Sequence, residues 1–191
     1  IPEWFIESCK KISYLFPRAH AVAYVMMAFR IAWFKVYHPL AFYAAYFSIR
    51  AKAFDLRIMT GDLKTQMTEF NRIKALDRGA SPKEKDLMSA LEVSMEMYQR
   101  GYRFINVDIQ HSGARRFSIK DGALLPPFLA IDSLGETVAD AIVEERDIKP
   151  FTSLKDLQRR CKVSNTIIDL MKELKCCGEL PEDEQMSLFG A

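Results

Sequence analysis

The sequence lacks several features that would define its class directly. No basic segment followed by an apolar run and a small-residue cleavage site stands at its start, so we predict no secretory signal. The longest uncharged apolar stretch, residues 19–29, is shorter than the roughly 20 residues that a bilayer span needs. Because neither a signal nor a span is predicted, we expect a soluble, cytoplasmic protein without membrane contact. The first residue is not methionine, so we expect the chain to be a segment of a longer protein.

Cysteine is scarce: the four cysteines form no Cys-x-x-Cys pair, and no histidine lies at zinc-ligand spacing from them. Adjacent Cys176 and Cys177 are poorly placed to bond to each other, which favours reduced thiols in an intracellular protein. We therefore predict no metal site in this chain.

The charge is distributed unevenly, although the net value is only +2. Residues 1–60 carry a net charge of +5, residues 61–120 carry +3, and residues 121–191 carry −6. A basic first segment that is rich in aromatic residues suits contact with phosphate groups. A solvated basic face explains the same composition, so charge alone leaves both interpretations open.

Apolar periodicity and helix breakers predict a mainly α fold with a small β insertion. Residues 17–37 form a long helix in this prediction, and apolar positions almost all round it indicate burial on most sides. Residues 104–109 and 117–119 favour short strands. Further helices are expected over residues 39–50, 63–76, 82–100, 137–146, 153–160 and 164–174. No internal repeat is visible, and the acidic segment after Gly178 is predicted to be flexible.

One candidate nucleotide site lies at the start of the long helix. His20 and Tyr24 are four residues apart and share a helix face, and Phe16 lies one turn earlier. Arg18 lies at the helix N-terminus, where backbone N–H groups favour anions. Aromatic rings stack on bases, while Arg and His donate to phosphate oxygens. Core packing with a satisfied histidine is the alternative explanation of these residues.

Residues 128–147 have the pattern of a helix-hairpin-helix element. Its apolar, glycine, small and basic positions are Leu134, Gly135, Ala139, Ile142 and Arg146. The glycine lets the backbone approach a phosphate, which the N–H groups opening the second helix then hold without reading a base. The predicted DNA-contacting residues are Ser133, Leu134, Gly135 and Thr137.

Two departures from the hairpin pattern keep an alternative open. Ser133 occupies a position that is often glycine, and residues 128–160 contain five Lys/Arg against seven Asp/Glu. A helix-hairpin-helix element that packs only against protein is therefore the competing interpretation.

The end of the chain carries a short apolar motif on an acidic segment. Leu188 and Phe189 are apolar residues that would supply buried area in a partner's pocket, and Gln185 a polar anchor. With Ser187 between them, these residues are similar to the peptide with which bacterial sliding-clamp partners bind the clamp.

Four stretches together resemble the C-terminal region of PolC-type bacterial DNA polymerase III. They are CKKISYLFPRAHAVAYVMMAFRIAWFKVYHPLAFYAAYFSIRA, LEVSMEMYQRGYRF, LLPPFLAIDSLGETVADAIVEERD and QMSLF. The resemblance implies three regions: the end of the fingers over residues 1–60, a duplex-binding domain over 61–178 with its helix-hairpin-helix element at 128–147, and a clamp-binding tail over 179–191.

The resemblance also implies roles for individual residues. Phe16, His20 and Tyr24 would face the incoming dNTP, and Arg18, where relatives often have Lys, would lie near phosphates. The implied partners are primer–template DNA, dNTP, the sliding clamp and other replisome subunits. The family holds two Mg²⁺ ions on palm carboxylates that include an Asp-x-Asp pair, and this sequence contains no such pair. The resemblance therefore implies that Mg²⁺ and the catalytic residues lie outside this chain, and that the 191-residue chain alone should not polymerise.

Two other functions remain open at this point. A stand-alone adaptor could use the helix-hairpin-helix element and the tail to link DNA to the clamp without chemistry. A small repair nuclease or glycosylase is the third hypothesis, since such modules accompany many of these enzymes. Against it, the sequence shows no acidic cluster or base-activated nucleophile at a suitable spacing.

Overall fold

The structure is a computed structural model that describes residues 1–12 and 17–183. The predicted fold class is confirmed, because these residues are mostly helical with one two-stranded antiparallel sheet. The helices are α1 (Glu3–Lys10), α2 (Arg18–Tyr37), α3 (Pro39–Ile49), α4 (Leu56–Met59), α5 (Leu63–Ala75), α6 (Pro82–Gln99), α7 (Glu136–Ile148), α8 (Leu154–Cys161) and α9 (Asn165–Glu173). Short 3₁₀ turns lie at Asp77–Gly79 and Phe128–Ala130, and the strands are β1 (Ser118–Lys120) and β2 (Ala123–Leu125).

The chain divides into two compact units, Ile1–Phe42 and Tyr43–Ala191. This division is one of packing, whereas the three regions implied by the resemblance are regions of function. Their boundaries after residues 60 and 178 therefore remain predictions.

The first unit contains α2, which starts directly after Pro17 as predicted. The expected burial of this helix is wrong, because none of its residues is buried in this structure. Tyr24 is 67% exposed and Phe29 72% exposed. The apolar side chains lie almost all round the helix, so α2 presents an exposed apolar surface.

Helix α2 passes a length and composition test for a membrane span, with 20 residues and a mean hydropathy of 1.2. This finding concerns the helix with its charged residues, whereas the uncharged stretch at residues 19–29 remains shorter than a span. The test is weak support for a span, since core helices of soluble proteins pass it too. Arg30 and Lys35 lie within the helix, and charged side chains are costly inside a bilayer.

Five helices of the second unit, α4, α5, α6, α8 and α9, begin at residues whose side chains accept from free backbone N–H groups. Ser81 and Glu84 form a reciprocal capping box at the start of α6, with Pro82 at the first helical position. Asp62 accepts from the Thr65 amide at 2.8 Å at the start of α5. Such caps fix the helix starts independently of tertiary packing.

A buried polar network holds α4, α5 and α6 together. The Gln66 side chain is fully buried and donates from Nε2 to the Met59 carbonyl at 3.1 Å. Ser94, on α6, donates to Gln66 Oε1 at 2.6 Å, and the Tyr98 hydroxyl donates to the same Met59 carbonyl at 2.8 Å. Because each buried side-chain group has a partner, the network orients the three helices and its hydrogen bonds offset the cost of desolvation.

The β insertion is smaller than predicted. Strands β1 and β2 pair with Ser118 opposite Leu125, but residues 104–109 form only an isolated bridge between Phe104 and Leu124. The prediction of a strand over residues 104–109 is therefore wrong. The chain leaves the sheet because its later hydrogen bonds go elsewhere, as when the Ile109 amide donates to the Cys176 carbonyl at 3.1 Å.

The main core of the second unit lies under α7, α8 and α9. Its fully buried side chains include Phe128, Ile142 and Leu157. The segment after Gly178, which the sequence predicts to be flexible, hydrogen-bonds to α8 through its first residues. Backbone amides at the start of α8 donate to the carbonyls of Pro181 and Glu182, at 2.9 and 3.2 Å.

Candidate nucleic-acid interface

The predicted hairpin exists between the 3₁₀ turn at Phe128–Ala130 and α7, and residues 131–135 are called hairpin 1. Ser133 has a φ of 63°, in the left-handed region that favours glycine. This explains why glycine often occupies the position in the motif. Leu134, the next residue, is only 4% exposed and anchors the hairpin in the core.

Gly135 is the N-cap of α7 and lies on the open side of the hairpin. Its φ of −75° is available to any residue, and no described atom lies within 4 Å of where a Cβ would stand. Neither backbone strain nor internal packing therefore requires a glycine here. A close approach from outside the chain would require one.

The start of α7 leaves backbone donors available. No side chain caps this helix, whereas the Gly135 carbonyl accepts from the Val138 and Ala139 amides at 3.1 and 3.0 Å. Within residues 1–12 and 17–183, the amides of Gly135, Glu136 and Thr137 have no hydrogen-bond acceptor. Adjacent amides at a helix N-terminus provide the donors that a phosphate oxygen needs.

Arg146, the basic position of the motif, has a structural role in this geometry. Its Nη1 donates to the carbonyls of Ile109 and Ser112, at 3.2 and 2.7 Å, and its side chain is only 13% exposed. The guanidinium also lies 5.9 Å from the centre of the Phe128 ring. Arg146 therefore fixes the loop beside hairpin 1 and is not placed to contact a phosphate.

The acidic residues around hairpin 1 are mostly engaged in ion pairs. Arg115 bonds to both Glu136 and Asp140 on α7, and its hydrogen bond lowers the pKa of Asp140. Of the seven acidic residues in 128–160, five have a basic partner: Glu136, Asp140, Glu145, Asp147 and Asp156. Asp132 and Glu144 have none among the described residues. The local negative charge is therefore smaller than the composition indicates.

A second hairpin, which the sequence pattern did not predict, joins α8 to α9 over residues 162–164 and is called hairpin 2. Lys162 repeats the left-handed conformation of Ser133 with a φ of 54°, and buried Val163 repeats Leu134. Ser164 then caps α9 with nearly the φ and ψ of Gly135, and its hydroxyl accepts from the Ile167 amide. The available sequence signal was the Lys-Val-Ser run between two short amphipathic helices.

The candidate nucleotide residues lie in the first unit. Arg18 is the first residue of α2, and the His20 and Tyr24 rings lie 4.6 Å apart in an edge-to-face arrangement. The structure therefore brings His20 and Tyr24 together on an exposed face. Phe16 lies outside the described residues, so its place relative to this pair stays a prediction.

The candidate clamp-binding residues also lie outside the described residues. These are Gln185, Ser187, Leu188 and Phe189. In the described ranges, no group of three or more His, Cys, Asp or Glu side chains is placed to hold a metal ion.

Two hairpins with buried apolar tips, one of which leads into a helix with an open N-terminus, are typical of a helix-hairpin-helix region. A family profile described as a helix-hairpin-helix motif matches residues 101–185, a range that includes both hairpins. The predicted element at 128–147 is thus part of a larger helix-hairpin-helix region.

Three similar proteins share one name. The chain is 49% identical over 189 residues to "DNA polymerase III PolC-type" of Caldanaerobacter subterraneus subsp. tengcongensis. Proteins of the same name from Streptococcus pyogenes and Streptococcus suis are 47% and 49% identical over 192 residues. Each match covers 99% of this chain but only 13–14% of the relative. The resemblance to PolC-type DNA polymerase III is therefore confirmed for this stretch.

Proposed function

We propose that this chain is part of a replicative DNA-directed DNA polymerase and grips the primer–template duplex. The observation that carries the proposal is the open N-terminus of α7 at Gly135, in a helix-hairpin-helix region whose relatives are named DNA polymerases. The adaptor and repair alternatives lack such support, since the polymerase relatives match 99% of the chain.

The duplex contact proceeds through backbone groups. A phosphate oxygen accepts from the free amides at Gly135, Glu136 and Thr137, while Ser133 and Leu134 set the hairpin that presents them. Such contacts position the duplex and carry no base information. This suits an enzyme that must hold any newly made sequence behind its active site.

The test is duplex binding by the complete polymerase that carries Gly135→Val. A Cβ added at Gly135 meets no protein atom within 4 Å apart from its chain neighbours, so we expect normal folding and weaker duplex affinity. Gly79→Val is a matched control, because Gly79 also has no neighbour within 4 Å but lies in the 3₁₀ turn at Asp77–Gly79. Unchanged affinity for Gly135→Val at moderate salt contradicts DNA contact and favours a hairpin that only packs against protein.

The start of α2 is proposed to face the incoming dNTP. His20 and Tyr24 present adjacent exposed rings, Arg18 adds a cation at the helix start, and Phe16 is assigned by the resemblance. In the complete polymerase, Tyr24→Ala should raise the KM for dNTP or lower kcat and leave duplex affinity nearly unchanged. Equal losses in dNTP use and duplex affinity contradict the assignment.

The end of the chain is proposed to bind the sliding clamp. Gln185 and Ser187 belong to the proposed motif, and Leu188 and Phe189 supply its apolar anchor. Calorimetry with a bacterial sliding clamp should show binding that Leu188→Ala/Phe189→Ala abolishes. Failure of the unaltered protein to bind removes this role without affecting the duplex proposal.

The polymerisation chemistry is proposed to lie outside this chain. Mg²⁺ is the expected metal of the complete enzyme and is proposed to be held by carboxylates outside this chain, which contributes binding and positioning. The complete enzyme is proposed to act in the cytoplasm with other replisome subunits and without membrane contact. Template-directed incorporation by the 191-residue chain alone would refute this division of labour.

A further inference from the structure

A groove of about 420 Å³ opens beside hairpin 1 in the second unit. It lies between the end of α3 with residues 51–54, the start of α6, and residues 115–117 and 127–132. Its rim carries Lys52, Lys83 and Arg115, and we call it the basic groove. Asp132, which borders the groove, directly precedes Ser133 of hairpin 1, so the groove continues the hairpin surface.

One hydrogen bond brings distant basic stretches of sequence to this groove. The Phe117 amide donates to Ser48 Oγ at 2.9 Å, which holds the Arg-Arg pair at 115–116 beside the Arg-Ala-Lys stretch at 50–52. Phe47 and Phe54 pack with Phe117 at centroid distances of 5.8 and 5.0 Å. The packed aromatic rings form the base of the groove and connect the two segments that carry Lys52 and Arg115.

The groove combines unpaired cations with an apolar wall. Lys52 and Lys83 are exposed, and neither has a carboxylate partner among the residues that the structure describes. Asp132 is the one acidic residue among the described residues that line the groove. Pro127, Leu129 and Ala130 supply the apolar wall.

We infer that the basic groove binds the sugar–phosphate backbone of a DNA strand and extends the contact made by hairpin 1. A DNA backbone alternates anionic phosphates with apolar sugar faces, which matches two free ammonium groups beside an apolar wall. Lys52 and Lys83 contact phosphates, while Leu129 and Ala130, which are exposed and partly exposed, contact sugars. The inference rests on the proposed function, because it concerns the same duplex.

The test measures the salt dependence of duplex binding by the complete polymerase carrying Lys52→Ala/Lys83→Ala. The plot of log affinity against log salt has a negative slope, and each lost phosphate contact reduces the magnitude of this slope by about 0.9. We therefore expect the magnitude of the slope to decrease by up to about 2. Lys64→Ala/Lys149→Ala is the matched control, because it removes the same charge from two exposed lysines that do not line the groove. Thermal unfolding of both variants should match the parent protein.

The outcomes separate this inference from the proposed function. If both double variants reduce the magnitude of the slope equally, the effect is a general one of charge, and the groove assignment is overturned. An unchanged slope for Lys52→Ala/Lys83→Ala, with weakened binding by Gly135→Val, also overturns the groove and leaves the hairpin proposal standing. If instead the groove variant binds DNA normally but loses affinity for a poly-glutamate peptide, the groove is a protein-binding site and the inference fails.

Discussion

Asp156 is a buried carboxylate that joins the helices of the two hairpins through arginine. It is 6% exposed and accepts from Arg159 at 2.9 Å, from Arg160 at 3.2 Å and from the Thr152 amide at 3.3 Å. Burial by itself raises the pKa of Asp156, but these hydrogen bonds outweigh burial and lower the pKa below its ordinary value of 3.8. Arg160 also bonds to Glu145 on α7 at 3.0 Å. Asp156→Asn therefore tests how α8 is held against α7.

The expected cost follows from which hydrogen bonds depend on the charge. Asparagine keeps the shape of the side chain but loses the charge-assisted bond to Arg160, a type of bond that contributes about 1.5–3 kcal/mol. Arg159 is 75% exposed, so its bond to Asp156 adds little. We expect Asp156→Asn to lower the free energy of unfolding by about 2–3 kcal/mol, which corresponds to a Tm lower by about 4–12 °C.

The pH dependence of this loss identifies its cause. The folded pKa of Asp156 lies below the unfolded value, so its stabilisation is complete above the ordinary pKa of 3.8 and disappears as pH falls through the lower folded pKa. The difference in Tm between the parent and Asp156→Asn should therefore be full at pH 7 and narrow below about pH 4. Circular dichroism melts at about pH 7, 5 and 3 measure it.

Asp169→Asn is the control for this experiment, since Asp169 is an exposed carboxylate on α9. A surface change of this type should alter stability by less than about 0.5 kcal/mol. Two results refute the reasoning: no loss of stability for Asp156→Asn at neutral pH, or a difference in Tm that is unchanged in acid.

Two further predictions concern the interior of the second unit and its contrast with the exposed thiol. Burial raises the thiol pKa of Cys161, Cys176 and Cys177 to about 11, 12 and 11, whereas Cys9 is exposed. A maleimide at neutral pH should therefore modify Cys9 rapidly and the three buried thiols only after denaturation. Rapid reaction of all four cysteines contradicts the fold. Gln66→Ala should lower the free energy of unfolding by about 1–3 kcal/mol in urea titrations, because it leaves buried hydrogen-bonding partners unsatisfied. An unchanged free energy of unfolding contradicts the network.

The sequence predicts the helices of this fold well where the signal is local. Ser81, Pro82 and Glu84 lie within one turn of each other, so the capping box at the start of α6 needs no tertiary information. The same holds for Pro17 before α2. Hairpin 1 was also predictable, because its motif residues lie within one short segment.

The features that sequence patterns did not predict depend on contacts between distant segments. Residues 104–109 have a strand-like pattern, but Asn106 donates to the Leu174 carbonyl at 2.5 Å and the chain turns toward α9. The basic groove depends on the bond between Ser48 and Phe117. Hairpin 2 gave no clear signal because Lys162 stands where a glycine would have indicated the left-handed turn.

The acidic composition around hairpin 1 shows how a count of charges differs from a surface. By composition, residues 128–160 disfavour DNA, which supports a hairpin that only packs against protein. In the structure, Arg115 from outside that range pairs with both Glu136 and Asp140, the two acidic residues in the first turns of α7, and offsets one of their two negative charges. The negative charge nearest to the free amides is thus partly compensated within the protein. A phosphate at Gly135 then meets helix N–H groups and the cations of the basic groove, with Asp132 as the remaining unpaired acid at the hairpin among the described residues.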